Sequence, residues 1–442
     1  MPLPLLEYQH EGAAYLAARE RAGLHDEMGV GKTATTIGAL DRIDAKRVIV
    51  VAPAAVRDVW IGEIKKFSRS KRRVIKGRSI HDLGYWLKGK ADILVVSYEL
   101  AARWAERIEE HCEILDAIIF DEAHYLKNPE AARTRAMLGT LCDGASGLAR
   151  FGAHVWFLTG TPMPNDPVDI WSFLRFCGGT KMRLSPFTSR YFKSFQTTFS
   201  TRQRPRDEML PELRQCIRAV SLRRTRDDVG LKLPPVFLTT VSVDGDTAEV
   251  RDLLLSYPGL TDTIIDAIER GGLSFLDAQH IATLRRLIGE AKAPHYAKLI
   301  GEELQNGLDK LVVFGLHTRA LEIVADYLKS LGVRVGMFTG STSDAARVRL
   351  VKEFQEDKSL RVFIGNIRAA GTGLTLTESC HIDMLESSWS PADNAQALFR
   401  VSRIGQTRNV RARFISLADS VDELVEERVA DKTAAILRVQ GG

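Results

Sequence analysis

Short apolar runs recur along the chain, separated by stretches whose apolar positions fall three and four apart. In the first half the runs lie at 47–52, 93–97, 117–121 and 155–159; in the second half they lie at 310–314, 333–338, 361–365, 381–386 and 410–416. They are rich in Val, Ile and Phe, and most are continuous rather than alternating. That pattern predicts buried parallel strands with helices on both faces. Two such series predict an α/β protein with two doubly wound parallel sheets. Between them the pattern lapses. Residues 197–206 are polar and contain a proline, and the pair Pro234-Pro235 ends any helix that reaches it. Residues 247–300 then read as mostly helical. The expected organisation is therefore an N-terminal lobe over 1–233 and a C-terminal part over 234–442, the latter opening with a small helical insertion.

Composition narrows the class. The chain has 442 residues, 45% hydrophobic and 26% charged, an ordinary globular balance. No run of eighteen apolar residues occurs, so no membrane partner is expected, and Met1-Pro2-Leu3-Pro4 does not open a secretory signal. Five widely spaced cysteines with no Cys-x-x-Cys pair suggest plain thiols in a reducing cytoplasm. The net charge of +5 permits a polyanion partner without requiring one. The positive charge is clustered, however. Lys65, Lys66, Arg69, Lys71, Arg72, Arg73, Lys76 and Arg78 form one cluster, Arg202, Arg204 and Arg206 a second, and Arg223, Arg224 and Arg226 a third. A basic cluster is often only a solvated face; three beside nucleotide motifs point towards phosphate-backbone contacts.

The first of those motifs is Asp26-Glu27-Met28-Gly29-Val30-Gly31-Lys32-Thr33. A glycine-bearing turn feeding a helix aims backbone N–H groups and the helix dipole at phosphate. In that arrangement Lys32 neutralises the β- and γ-phosphates and the Thr33 hydroxyl ligates Mg²⁺. The strict pattern has glycine where Asp26 stands. About ninety residues later Asp121-Glu122-Ala123-His124 ends an apolar run. Ligands bind beyond the carboxyl ends of parallel strands. Asp121 there suits Mg²⁺, and Glu122 suits the orientation and deprotonation of an attacking water. An acidic helix start is the plainer reading of the same two residues. In the second half, Gln396, Arg400 and Arg403 share one face if they lie on one helix, with Gly405 as the residue that ends it. Such arginines suit a transferring phosphoryl group. Gly371 and Gly373 permit close approach of a backbone to phosphate.

The order of these motifs resembles that of the Swi/Snf-like group of helicase superfamily two, over nearly the whole chain from Tyr8 to about Lys432. Residues 6–9 look like the adenine-reading segment, with Gln9 as the base contact. Residues 26–33 are similar to the group's own phosphate loop, which carries Asp at its first position. Residues 50–60, 95–100, 121–128 (DEAHYLKN), 158–165 and 222–235 (LRRTRDDVGLKLPP) resemble further motifs of the first lobe and the junction. Residues 312–318, 338–342, 369–377, 389–391 and 396–406 (QALFRVSRIGQ) resemble those of the second. One departure is Ser402, where the group usually has His.

The resemblance implies two RecA-like lobes that share ATP and Mg²⁺, with Lys32, Asp121, Glu122, Arg400 and Arg403 catalytic. Gln9, residues Asp26, Glu27, Met28, Gly29, Val30, Gly31, Lys32 and Thr33, and Gln396 bind the nucleotide; Thr33 and Asp121 hold the metal. Ser97, Tyr98, Lys127, Thr339, Gly340, Thr372 and Trp389 are the implied contacts to DNA, duplex or forked. The expected activity is an ATP-dependent DNA translocase, cytoplasmic and nucleoid-associated, with a lean towards the fork-remodelling, strand-annealing subgroup. A strand-separating helicase and the motor subunit of a restriction or defence complex, with a partner supplying targeting or nuclease activity, are the alternatives. A non-catalytic clamp is disfavoured because the catalytic residues are all present.

Overall fold

The structure, a computed structural model, describes residues 2–111, 114–160, 167–196, 201–270, 275–340, 342–367 and 374–439. The chain divides into two compact units, one built from Met1–Gln196 and Thr201–Leu231, the other from Lys232–Gly442. Each contains a wholly parallel sheet.

The first unit is built on β1 (Arg21–Leu24), β2 (Val48–Ala52), β3 (Val74–Lys76), β4 (Ile93–Ser97), β5 (Leu115–Asp121), β6 (Gly152–Leu158) and β9 (Ser221–Leu222), in the order β3-β4-β2-β5-β6-β1-β9. An antiparallel hairpin, β7 (Phe192–Gln196) with β8 (Thr201–Pro205), stands outside that sheet. Every residue of β2 and β4 is buried, as continuous Val/Ile runs covered on both faces should be. Trp60, Trp86, Trp156, Phe120 and Phe157 are among the largest fully buried side chains, each stabilising the fold by about 1.5–3 kcal/mol or more through removal from water.

The second unit places β10 (Val236–Val243), β11 (Leu311–Gly315), β12 (Arg334–Phe338), β13 (Leu360–Asn366), β14 (His381–Met384) and β15 (Val410–Leu417) in the order β10-β15-β14-β11-β13-β12. Helices Ala248–Ser256, Leu260–Arg270 and Phe275–Gln305 precede β11. The four strands of the two parallel sheets that the apolar runs did not reveal, β1, β3, β9 and β10, have a common explanation. β3 and β9 are two or three residues long, β1 carries Arg and Gly, and β10 is an edge strand exposed at Phe237, Thr239, Thr240 and Ser242. None of the four forms a continuous Val/Ile run.

Buried charge welds the long helix to this sheet. Lys292 Nζ donates to the Ile415 carbonyl at 2.5 Å and to Asp422 at 2.7 Å, and lies 3.9 Å from Glu426. Arg413 grips Asp383 and Glu303 bidentately, and Tyr296 donates to Asp383 at 2.7 Å. Burial pushes the Glu426 carboxyl up to about 7, against the pull of Lys292. A folded value above the ordinary 4.5 means the native state binds this proton more tightly than the unfolded chain. The group's contribution is therefore complete below pH 4.5 and is lost as pH rises through about 7. Glu426→Gln removes that loss while Asp422 keeps Lys292 paired. We expect the variant to be stabilised at pH 8 by on the order of 1–3 kcal/mol and hardly at all at pH 5, read as the difference in thermal midpoint at the two pH values. A midpoint that falls equally at both would refute the assignment.

Candidate functional site

Three neighbouring strands bring the site of the first unit together. In register, Leu24 of β1 faces Leu158 of β6, which faces Asp121 of β5. The carboxyl ends of all three therefore lie side by side, where an open parallel sheet binds ligands.

β1 runs into the glycine-bearing loop. Gly29 and Gly31 have φ of 85° and 91°, a region that favours glycine, and Gly31 caps the helix Lys32–Arg42. A Cβ on Gly31 would stand 2.4 Å from Gln9 Nε2, so the glycine also makes room for Gln9. Gln9 is buried, accepts from the Leu6 N–H at 3.0 Å and donates to the Val30 carbonyl at 3.4 Å; Tyr8 donates to the same carbonyl at 2.8 Å. Lys32 Nζ donates to the Asp26 and Glu27 carbonyls at 2.9 and 3.3 Å. Burial lowers its pKa, while Glu122, Asp26, Asp121 and Glu27 oppose that by holding the charge in place. Thr33 follows, half-buried, on the first turn of the helix.

β5 delivers the carboxylates. Asp121 is buried; its Oδ2 accepts from the Trp60 indole N–H at 2.7 Å, and its Oδ1 accepts from the Glu122 N–H at 3.0 Å. Burial and the adjacent Glu122 charge push it up to about 6, against Trp60 and Lys32. Glu122 is held at φ 51°, sparsely populated for a non-glycine residue and found where surrounding structure enforces it. His124 Nδ1 lies 3.3 Å from Glu122 Oε2 and 3.2 Å from Thr159 Oγ1, so one imidazole bridges the end of β5 to that of β6. A Cβ on Gly160 would lie 2.9 Å from Met28 Cγ and 3.4 Å from Lys32 Nζ. The end of β6 thus passes directly against the phosphate loop.

The side chains of Asp26 and Glu27 pair with arginines from the segment after β9. Arg224 binds Asp26 at 2.5 and 3.2 Å, and Arg226 lies 3.1 Å from Glu27. The third basic cluster is thereby largely internal. The first is mostly exposed, yet part of it is paired, and Arg72 and Lys76 are internal. Arg72 pairs with Asp41, Arg73 with Asp92, Lys76 with Asp58 and Lys66 with Glu63. Sequence shows the positive charges but not their counter-charges, which come from distant positions.

The helix expected to carry Gln396, Arg400 and Arg403 on one face ends early. It spans Pro391–Leu398, so Gln396 lies on it and both arginines lie in the turns beyond. Gln406 causes the departure. Its amide donates to the carbonyls of Thr377, Ser379 and Val401 at 3.1, 2.7 and 3.3 Å, and the Leu376 N–H donates to the Arg400 carbonyl at 2.8 Å. Those contacts fold the chain back. Gly405, at φ 102°, serves a later turn rather than the helix end. Arg403 Nη1 donates to the Leu374 carbonyl at 3.0 Å.

The implied nucleic-acid contacts divide. Tyr98 is buried, donates to the Asp121 carbonyl at 2.8 Å and stacks on Tyr125 at 5.2 Å. Ser97 is buried too and accepts from the Leu100 N–H at 3.3 Å, capping a helix. The Tyr98 hydroxyl thus braces the end of β5, and Ser97 caps the helix that follows β4. Lys127 is half-exposed and pairs with Asp169 at 3.2 Å; Thr339 is half-exposed and Gly340 exposed. Trp389 carries the Arg285 guanidinium 4.6 Å above its ring. Thr372, with Gly371 and Gly373, lies outside the described residues, as does Thr161.

Among the described residues no three His, Cys, Asp or Glu side chains converge as a metal cage, and no helix among them is long and apolar enough to cross a membrane.

Comparison with known families matches residues 8–251 to the SNF2-related domain. The chain belongs to the SNF2-related family. Residues 292–405 match the helicase conserved C-terminal domain, so the two units carry the SNF2 and helicase C-terminal regions in that order. Among curated SNF2 relatives, the bovine DNA annealing helicase and endonuclease ZRANB3 is 27% identical over 95% of this chain and 39% of its own length. The Drosophila melanogaster SWI/SNF-related matrix-associated actin-dependent regulator of chromatin subfamily A-like protein 1 is 27% identical over 98% of this chain and 56% of its own. The Arabidopsis thaliana ATP-dependent DNA helicase DDM1 is 27% identical over 97% and 61%. The chain thus spans about two-fifths of the length of ZRANB3. A Sulfolobus solfataricus SWI2/SNF2 ATPase core in complex with dsDNA aligns with a TM-score of 0.43 at 19% identity, over 99% of this chain and 95% of that one. At the SNF2 position where His is usual, Ser402 is fully buried.

Proposed function

We propose that this SNF2-related chain is a DNA-dependent ATPase that translocates on or remodels duplex DNA, forks included. The observation that carries the reading is the half-buried Lys32 of the phosphate loop, held beside Asp121 and Glu122 at the end of β5. A half-buried ammonium beside two carboxylates suits a site completed by a nucleotide and a divalent ion.

Nucleotide phosphates would lie on the N–H groups of Gly29–Thr33, with Gln9 on the adenine side. The donor set of one carboxylate, Asp121, and one hydroxyl, Thr33, fits Mg²⁺, which takes few protein ligands and completes its shell with phosphate and water. The metal would supply charge neutralisation of the phosphates. Glu122 then orients and deprotonates the attacking water, and His124 holds Glu122 against Thr159. Arg400 and Arg403 are assigned to the charge that develops on the γ-phosphoryl group. Lys127, Thr339, Gly340, Thr372 and Trp389 remain the candidate contacts to the DNA backbone.

The test is ATPase rate without nucleic acid and with single-stranded, duplex and forked DNA and RNA. Duplex or forked DNA should stimulate hydrolysis severalfold, and the stimulation should fall steeply with salt, since backbone phosphates are the ligand. Equal rates with and without DNA would overturn the proposal. Stimulation by single strands alone, with strand displacement, would favour a strand-separating helicase.

A further inference from the structure

The arginines after β9 meet more than a counter-charge. The ladder between β1 and β9 pairs Gly23 with Ser221 and Leu24 with Leu222, then continues past both strands. The His25 N–H donates to the Leu222 carbonyl at 2.8 Å, and the Glu27 N–H donates to the Arg224 carbonyl at 2.9 Å. The segment therefore runs alongside the phosphate loop. Arg224 uses three groups on it. Its own N–H donates to Asp26 Oδ1 at 2.9 Å, its Nε to the same oxygen at 3.2 Å, and its Nη2 to Asp26 Oδ2 at 2.5 Å. Its Nη1 donates to the Tyr8 carbonyl, and its guanidinium lies 5.4 Å from the centre of the Tyr8 ring. Arg226 acts one step along. Its N–H donates to Glu27 Oε2 at 2.9 Å and its Nη2 to the Met28 carbonyl at 3.1 Å. Asp26, Glu27 and Arg226 are essentially inaccessible to solvent.

Two arginines thus address two different parts of the pocket. Arg224 joins the helix bearing Tyr8 and Gln9 to the start of the phosphate loop. Arg226 holds the loop itself, at Glu27 and Met28. Tyr8 and Gln9 in turn grip the loop from the other side through the Val30 carbonyl.

We propose that Arg224 and Arg226 are positioning residues for the nucleotide, Arg224 setting the base-reading helix against the phosphate loop and Arg226 setting the loop alone. The proposal rests on the ATP-site reading above. Neither side chain need touch ATP. Each acts by fixing backbone that does, and a buried bidentate arginine–carboxylate pair fixes geometry in a way lysine cannot reproduce.

The experiment measures KM and kcat for ATP and for GTP in Arg224→Ala, Arg224→Lys, Arg226→Ala and Asp26→Asn, each at a temperature well below its own thermal midpoint. Arg224→Ala should raise KM for ATP by roughly tenfold or more with kcat within about threefold. It should also shrink the preference for ATP over GTP, because the base-reading helix loses its tie. Arg224→Lys should rescue only in part. Arg226→Ala should raise KM for both nucleotides alike and leave the preference intact. Asp26→Asn keeps the shape of its side chain and should reproduce Arg224→Ala, so it carries the test if that variant does not fold. A folded Arg224 or Asp26 variant with unchanged KM and unchanged preference, whatever its thermal midpoint, overturns the proposal. Lys32→Ala serves as the control: if it too leaves ATP hydrolysis intact, the ATP-site reading has failed, not merely this extension of it.

Discussion

Glu122→Gln is expected to bind ATP about as well as the natural chain and to hydrolyse it roughly 10²–10⁴-fold more slowly, the usual scale for removing a general base. The substitution is close to isosteric. The Glu122 N–H donates to Asp121 Oδ1 through the backbone, which glutamine preserves, and the strained φ of 51° is set by the end of β5 and not by the carboxylate. The thermal midpoint should therefore barely move. Calorimetric ATP titration alongside a steady-state phosphate-release assay separates binding from chemistry. A near-normal rate would show that the base lies elsewhere, with His124, 3.3 Å away, the first group to examine.

Lys32→Ala is expected to do the opposite and remove binding itself. Its ammonium holds the Asp26 and Glu27 carbonyls and sits among Glu122, Asp26, Asp121 and Glu27. Without it, the Asp121 and Glu122 carboxylates face an incoming triphosphate with no ammonium beside them. Charge-assisted contacts to phosphate are the strong ones. A fall in kcat/KM of about 10³-fold or more is expected, on the scale of several kcal/mol. Nucleotide titration should show no saturable binding at concentrations that fill the natural site. Saturable binding with ordinary affinity would show that the phosphates sit elsewhere. Because Arg224 and Arg226 still neutralise Asp26 and Glu27, the loop should stay folded, which circular dichroism can check.

These two predictions rest on residues the sequence displayed openly. Lys32 is legible because a glycine turn before a helix has one strong physical use, and Glu122 because an acid at the end of an apolar run marks the carboxyl edge of a parallel strand. The central strands β2, β4 and β5 were equally plain, since strands buried on both faces consist of little but Val, Ile, Leu, Phe and Ala. Where the pattern misled, the cause was a contact partner far along the chain. The helical spacing of Gln396, Arg400 and Arg403 was sound as local geometry, but Gln406 gathers three carbonyls and ends the helix at Leu398. Tyr98 entered only through the family resemblance, and nothing local shows that its hydroxyl is committed to the Asp121 carbonyl.

The basic clusters teach the same lesson about charge. Arg72 finds Asp41 and Arg73 finds Asp92, while Arg224 finds Asp26 across nearly two hundred residues. Trp60 donates to Asp121 from another element altogether. Residues 50–60 resemble a family motif, but nothing in that run shows that the Trp60 indole serves Asp121.

By itself, then, the sequence determined two parallel sheets, a glycine-bearing loop on one of them and the acids at the edge beside it, because hydrophobic period, glycine turns and strand ends are local properties. Only the tertiary structure decided which charges are occupied and which side chains brace the pocket. Ion pairs and buried hydrogen bonds depend on distance in space, and no spacing along a chain reports that distance until the strands are laid in order.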